Sequence, residues 1–158
     1  MAKIERKFLA HFVNASVGDQ PQYERLGKDL EEFSAEVSAQ VESKKNILGQ
    51  TAVAVTGYEK TAAVEPYYAE ADSPLFARLQ DIIDRGLVLE DVKTDVVEVK
   101  LWEPDDEGAV PAVKETAYIG ITSYGGDTTG YKIAFTLHFT GEKVKGKFDP
   151  ATKTFTAE

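Results

Sequence analysis

The sequence predicts a mainly β protein: a β-sandwich or barrel of about seven or eight antiparallel strands with one flanking α-helix. Most of the chain alternates apolar and polar residues with a period of two, whereas one segment repeats its apolar residues with helical spacing. The chain has 158 residues, of which 42% are hydrophobic and 28% charged, which is typical of one globular domain. We therefore expect a single domain over residues 1–158, with an N-terminal arm at about 1–16 and a C-terminal hairpin at about 144–156.

The helix is predicted over about residues 74–85. Ser73 can accept a hydrogen bond from a first-turn amide, Pro74 suits the first helical position, and Gly86 can end the helix in a left-handed conformation. The apolar residues expected to face a core are Leu75, Phe76, Leu79, Ile82 and Ile83. The charged residues expected to face water are Arg78, Asp81 and Asp84.

The first strands are predicted at 33–41 and 50–57, joined by a hairpin loop at Ser43–Gly49. The apolar face of the first strand consists of Phe33, Ala35, Val37, Ala39 and Val41. Its opposite face consists of Glu32, Ser34, Glu36, Ser38, Gln40 and Glu42. Antiparallel sheets commonly have one dry face and one wet face, so the apolar face is expected to be dry.

Further strands are predicted along the rest of the chain. Pro66 favours an edge or irregular strand at 62–68. The remaining strand-like segments are 94–102, 112–123, 131–140, 145–148 and 153–155. Loops are expected at the acidic cluster 103–108, at 124–130, and at 149–152.

Residues suited to catalysis are scarce in this sequence. There are no cysteines and only two histidines, and no serine lies in a nucleophile-elbow pattern. His11 and His138 are far apart in sequence and are interpreted as surface or lumen residues. Gly125 and Gly126 lack the residues of a phosphate-binding loop, and the acids of 103–107 do not have the spacing of a calcium loop. We therefore predict no enzymatic activity, no cofactor and no metal site.

The charge distribution limits the partners. Net charge is −9, and residues 8–131 hold 10 basic residues against 23 acidic ones. Such an acidic surface repels phosphate and disfavours conventional nucleic-acid binding. No signal-peptide pattern and no apolar run of about 20 residues occurs, so we expect a soluble protein without a membrane partner.

The composition of the polar strand faces favours a channel wall. Across 32–42, 50–56 and 132–140 these faces hold mostly Glu, Ser, Gln, Thr and Ala, with Lys132 as the main basic exception. A smooth acidic surface lets a polyanion slide, because each fixed cation would hold a phosphate. If copies joined edge to edge into a closed ring, the sheet edges would disappear and the polar faces would line a pore.

The order of features resembles the major tail tube proteins of long-tailed, siphovirus-like bacteriophages along essentially the whole chain. The segments that carry the resemblance are YERLGKDLEEFSAEVSAQVESKKNILGQTAVAVTGYEK, VEPYYAEADSPLFARLQDIIDRG, VVEVKLWEP, SYGGDTTGYKIAF and VKGKFDPATKTF. The resemblance implies a structural virion protein, assembled in the bacterial host cytoplasm. It also implies hexameric rings stacked into a tail tube whose acidic lumen conducts DNA.

Site residues and partners also follow from the resemblance. The lumen-lining candidates are Glu32, Ser34, Glu36, Ser38, Gln40, Thr136 and His138. The ring-stacking candidates are Lys44, Lys45, Asn46, Ile47 and Leu48, with the two lysines meeting acids on the next ring. The N-terminal arm and C-terminal hairpin would add contacts between subunits. The implied partners are other copies of the chain, other tail proteins such as tape-measure, terminator and baseplate components, and DNA that passes without specific binding.

Two alternatives from other classes remain open at this point. One is the inner tube of a contractile particle or secretion system. The other is a monomeric β-sandwich binding module, for example for carbohydrate, that uses Trp102, Tyr67 and Tyr68.

Overall fold

The computed structural model describes residues 2–16, 18–28, 30, 32–103 and 108–158. Within these residues, eight antiparallel strands form one sheet, and Pro74–Arg85 form the helix α1. The strands are β1 (Leu9–Asn14), β2 (Tyr23–Arg25), β3 (Ala35–Lys45), β4 (Thr51–Tyr68), β5 (Lys93–Lys100), β6 (Val110–Asp127), β7 (Gly130–Asp149) and β8 (Thr154–Ala157). The predicted fold class is confirmed.

Two long strands carry the architecture. The sheet order is β2-β1-β5-β6-β7-β4-β3, with β8 also beside β7. Strand β6 has 18 residues and pairs with β5 along 112–118, whereas β7 has 20 residues and pairs with β4 along 132–138. Each of these strands therefore has one partner along its whole length and a second partner along only part of it.

Bulges in the β6–β7 ladder let the sheet fold over on itself. The register shifts between Glu115 and Ala117 and again between Ile121 and Ser123. An extra residue bends a strand and increases its twist, so the two halves of the sheet turn toward each other in a sandwich-like arrangement. The two ends of the sheet meet as a result: the His11 ring of β1 packs edge-on against Phe33, just before β3, with centroids 4.8 Å apart.

Two hydrophobic clusters fill the interior. The larger lies between α1 and the apolar side of β4, β6 and β7. Its most deeply buried members include Val64, Leu75, Leu79, Ala117, Ile133 and Leu137. The smaller cluster lies on the opposite side of β1 and β5 and includes Phe12, Val97, Val99, Ala112 and Phe148. Burial of these side chains provides the main driving force for folding.

Helix α1 has the predicted bounds and the predicted caps. The Ser73 Oγ accepts a hydrogen bond from the Phe76 amide at 3.3 Å, and Gly86 ends the helix with φ +60. The apolar side of the helix packs on the core as expected, with Leu75, Leu79 and Ile82 buried.

The prediction that Arg78 faces water is wrong. Arg78 is 7% exposed, and its guanidinium donates to the carbonyls of Asn14 and Ser16, both at 3.3 Å, and to that of Lys93. These carbonyls need donors where β1 ends and β5 begins, and the long side chain of Arg78 reaches them from the helix.

The N-terminal segment is more strongly integrated than an arm over residues 1–16 would be. Strand β1 pairs with β5 from Leu9, opposite Lys100, to Val13, opposite Val96, and its residues 10–13 are buried. Only residues 2–8 of the described N-terminus precede this strand. This strand has four consecutive buried residues, so its sequence lacks the alternation that predicts a strand.

The C-terminal hairpin is present: β8 pairs with the end of β7 from Gly146, opposite Ala157, to Asp149, opposite Thr154. The loop expected at 124–130 is shorter, because β6 extends to Asp127 and β7 begins at Gly130. Most of the acidic cluster 103–107 lies outside the described residues, at 104–107. Within the described ranges, no helix is both long and apolar enough to cross a membrane.

Candidate functional site: a polar sheet face and a projecting ribbon

Four strands bring two of the predicted lumen residues into one row. Glu36 of β3 lies opposite Thr61 of β4, Thr61 opposite His138 of β7, and His138 opposite Tyr118 of β6. Residues directly opposite each other point to the same face of a sheet. A Cβ at Gly120 would lie 3.3 Å from the His138 Nε2, so glycine at this position leaves room for the imidazole.

The same register defines the rest of this surface, which we call the polar face. Its members are Glu36, Ser38, Gln40, Glu42 and Lys44 of β3, Ala54, Glu59, Thr61 and Ala63 of β4, Lys132, Thr136 and His138 of β7, and Tyr118 and Gly120 of β6. The structure thus groups five of the seven lumen candidates. The other two, Glu32 and Ser34, are exposed but precede β3, so no strand pairing places them on this face.

The polar face has a net negative charge. Its acids Glu36, Glu42 and Glu59 are all exposed. Of its basic residues, Lys44 lies at the end of β3, and Lys132 is paired, with its Nζ 3.0 Å from the Asp127 Oδ2.

Hydrogen bonding keeps both partners of that pair charged. Hydrogen bonds from Thr129, and then from Lys132, hold the pKa of Asp127 well below its usual range. The hydrogen bond to Asp127 in turn raises the pKa of Lys132. The pair therefore adds no net positive charge to the face.

The β3–β4 hairpin separates from the rest of the sheet beyond Thr61. Strand β4 pairs with β7 only as far as Thr61, so residues 51–60 continue past it for about 30 Å together with β3. We call β3 and residues 51–60 the ribbon. Its loop is ordered by Asn46, whose Oδ1 accepts from the amides of Leu48 and Gln50, both at 3.0 Å. The loop contains the ring-stacking candidates Asn46, Ile47 and Leu48, and the other two, Lys44 and Lys45, are the last residues of β3.

The apolar side of the ribbon is exposed, contrary to the expectation of a dry face. Its large side chains, which we call the apolar stripe, are Val37, Val41, Val53, Val55 and Tyr58, and they are 53% to 67% exposed. Beyond the Thr61–His138 pair, β4 and β7 separate, so the core does not extend beneath the ribbon; Val37 and Tyr58 line an open cleft together with Phe139 of β7. A two-stranded ribbon is marginally stable in water by itself, which favours a partner for this surface.

The ribbon tip has the same character. Ile47 is fully exposed and Leu48 is 77% exposed. Lys44 and Lys45 are also exposed, at the end of β3. The structure thus brings the five ring-stacking candidates together at one projecting tip, although it does not test what they contact.

A buried charge cluster joins β4 to the strands of the opposite half of the sheet. His11, predicted to be a surface or lumen residue, is 8% exposed, and its Nε2 lies 3.3 Å from the Glu98 Oε2. The Lys60 Nζ lies 2.5 Å from the Glu115 Oε1 and 3.9 Å from the Glu98 Oε2. Burial of His11 follows from β1 being a core strand, which the sequence alternation did not reveal.

The hydrogen bond from His11 lowers the pKa of Glu98 from its ordinary value of 4.5. A carboxylate with a depressed folded-state pKa stabilises the fold above its unfolded pKa, and this contribution is lost as pH falls through the folded pKa. We expect Glu98→Gln to lower the free energy of unfolding at pH 7 by about 1–2 kcal/mol and to flatten its fall below pH 5. Urea unfolding from pH 3 to 7, with Glu42→Gln on the ribbon as control, measures both; identical profiles for wild type and Glu98→Gln would contradict this.

Within the described residues, no group of three or more His, Asp or Glu side chains could hold a metal ion. The void beside His11 and Glu98 is too small to admit a water molecule, whereas Lys60 and Glu115 also line an open cleft of about 430 Å³. The arrangement of the charge cluster fits a structural tie between the two halves of the sheet.

The aromatic residues of the binding-module alternative do not share a surface. Tyr67 and Tyr68 lie opposite Ile133 and Lys132, near the start of β7. Trp102 comes just after β5. That strand starts at Lys93, opposite Tyr118, and leads away from the start of β7, so its end is distant from Tyr67 and Tyr68. The Tyr67 hydroxyl is also engaged, 2.8 Å from the Ser73 Oγ and 3.2 Å from the Glu24 Oε2.

Comparisons with known proteins find a likeness among solved structures. No protein-family model matches the chain, and no curated protein matches it. Among solved structures, the SPP1 tail tube, determined by solid-state NMR and cryo-EM, is similar with a TM-score of 0.66 and 12% sequence identity. The match covers 90% of this chain and 78% of the other. At this identity the likeness establishes the fold: the chain has the architecture of a tail tube protein.

Proposed function

We propose that this chain is the structural subunit of a phage tail tube, in which hexameric rings stack around an acidic lumen that conducts DNA. The observation that carries the proposal is the polar face on a sheet with the fold of the SPP1 tail tube. In this proposal the lumen is lined by Glu36, Ser38, Gln40, Thr136 and His138, with Glu32 and Ser34 at its border. The protein then acts by assembly and needs no catalytic residue or cofactor.

The free strand edges support closure into a ring. In the order β6-β7-β4-β3, the outer strands run in opposite directions, because each neighbouring pair is antiparallel. When copies are related by rotation about one axis, β3 of one copy meets β6 of the next in antiparallel orientation. Strand β5 pairs with β6 no further than Tyr118, so residues 119–127 of β6 have an edge available for this contact.

Barrel geometry is compatible with such a ring. In one copy, β3 and the free edge of β6 lie at different heights, and strand tilt in a closed barrel brings staggered edges side by side. Six copies with four strands each, spaced ~4.8 Å apart and tilted ~40°, give a backbone diameter of roughly 50 Å. The opening that remains after side chains are added admits a DNA duplex.

Stacking is assigned to the ribbon tip. Lys44, Lys45, Asn46, Ile47 and Leu48 project about 30 Å beyond the β4–β7 ladder, far enough to reach a neighbouring ring. Other tail components, such as tape-measure, terminator and baseplate proteins, would bind the ends or interior of the tube. The protein would then reside in the virion tail after assembly in the host cytoplasm.

Size-exclusion chromatography and negative-stain electron microscopy of concentrated protein test this function. We expect rings with six-fold symmetry, and tubes built from them. Monomers alone across a range of protein and salt concentrations would contradict the proposal. A contractile-system tube is the related alternative, and a sheath gene beside this one would favour it.

The lumen assignment predicts the effect of Glu36→Lys. Six copies would place a ring of lysines in the channel, and each lysine would hold a passing phosphate. We expect tubes to form normally while DNA ejection from particles slows severalfold, more so at low salt. Asp84→Lys on the exposed face of α1 is the matched control and should leave ejection unchanged; equal rates for both variants would remove Glu36 from the lumen.

A further inference from the structure

A second exposed apolar patch lies elsewhere on the chain from the apolar stripe. Val88 and Leu89, which we call the ledge, are 63% and 79% exposed. They lie between α1 and β5, where the 3₁₀ turn Leu89–Val92 begins. Exposed apolar pairs are common on proteins, so the ledge is informative only because of its backbone and its position.

The backbone at Leu89 is unusual. Its φ is +57, in the left-handed region that leucine seldom adopts and that asparagine and glycine tolerate better. An unfavourable conformation at an exposed apolar residue points to a use for that side chain outside the monomer fold.

The ledge lies beside the free edge of β6. Lys93 is the first residue of β5 and pairs with Tyr118, and the ledge comes just before it in the chain. The Tyr118 hydroxyl donates to the Glu90 carboxylate at 3.0 Å, which fixes the 3₁₀ turn against β6. The ledge therefore flanks the position where β6 loses β5 as a partner and its outer edge becomes available.

We propose that the apolar stripe of one copy packs on the ledge of the neighbouring copy, the one whose β6 edge receives β3. This inference rests on the ring of the proposed function. The stripe points to the same side of the sheet as the α1 core. Val37 lies two residues from Ala35, and Tyr58 lies four residues from Ala62, so each shares a strand face with a residue that packs on that core. Antiparallel pairing of β3 with β6 would lay the stripe along the free β6 edge, and the ledge lies beside the start of that edge.

Charge at the borders of the two patches is complementary. Lys45 continues the stripe on the same side of the ribbon. The pair Lys45–Thr51 lies two residues along the ribbon from the pair Ser43–Val53, so both pairs face the same way. Glu90 and Asp91 directly follow Leu89 and are exposed. Opposite charges beside matched apolar patches favour one docking register over a slipped one.

The substitution Leu89→Asn separates docking from folding. Asparagine accepts the left-handed conformation, so the monomer should be at least as thermally stable as wild type. Loss of the buried leucine should raise the protein concentration needed for ring or tube assembly about tenfold. Ala77→Asn is the control, because it places asparagine at an exposed site on α1, outside both patches; its assembly should be unchanged.

Disulfide trapping locates the contact directly, because the chain has no cysteine. In the double variant Leu89→Cys/Val41→Cys, oxidation of assembled protein should yield a ladder of covalent oligomers ending at the closed ring. The control Leu89→Cys/Ala54→Cys moves the second thiol to the polar face and should give no ladder.

The outcomes distinguish the two proposals. Suppose that wild-type protein forms rings, that the Leu89→Asn protein assembles at the same concentration, and that neither Val41→Cys nor Val55→Cys gives a ladder with Leu89→Cys. The ledge is then not the docking site, while the proposed function stands. If wild-type protein forms no rings or tubes, the proposed function itself is contradicted. If Leu89→Asn does not fold, the cross-linking result decides.

Discussion

The double substitution Ile47→Asp/Leu48→Asp is expected to leave the chain folded and to abolish growth of tubes. Both side chains are exposed at the ribbon tip, so the monomer loses almost no buried surface. In the proposed stack they become buried against the next ring, where each apolar side chain of this size contributes about 1.5–3 kcal/mol. Replacing them with carboxylates removes that gain and adds the cost of desolvating two charges in every copy.

Thermal unfolding, size-exclusion chromatography and negative-stain microscopy measure this effect together. The expected result is an unchanged Tm with monomers or single rings in place of tubes. Ala77→Glu/Arg85→Gln on the exposed side of α1 changes net charge by the same amount and should leave tubes intact. Tubes of normal length from the tip variant would show that stacking does not use Ile47 and Leu48.

The substitution Arg78→Met is expected to cause the largest loss of monomer stability among the polar substitutions considered. It removes the side-chain donors for the carbonyls of Ser16 and Lys93 and one of two donors for the Asn14 carbonyl, which also accepts from the Thr94 Oγ1 at 2.6 Å, at a position that is 93% buried. Buried carbonyls left without donors cost about 1–3 kcal/mol each when water cannot replace the lost bond. We expect the free energy of unfolding to fall by about 2–4 kcal/mol, and Tm by about 5–15 °C.

Arg85→Met provides a matched control for Arg78→Met, because Arg85 lies on the same helix and forms only an exposed ion pair with Asp81 at 3.1 Å. Its effect should stay within about 0.5 kcal/mol. Both variants are best measured in the tip-variant background, so that assembly does not add to the apparent stability. Equal Tm values for the two arginine variants would contradict the structural role assigned to Arg78.

Local patterns predicted much of the fold. Helix α1 has the bounds indicated by Ser73, Pro74 and Gly86, because capping depends on a few neighbouring residues. The alternation at 33–41 predicted β3 and correctly placed Glu36, Ser38 and Gln40 on one face. Side chains point to alternate faces of any strand, so this grouping needs no knowledge of the rest of the molecule.

The sequence by itself determined the strand faces, the helix and its caps, and the scarcity of residues for catalysis. Only the tertiary structure decided which of those faces are covered. Alternation says that Val37, Val41 and Val55 share a side, but their exposure depends on where β4 separates from β7. The burial of His11 and Arg78 likewise depends on β1 becoming a core strand. Burial comes from contacts between residues distant in the chain, which local periodicity does not encode.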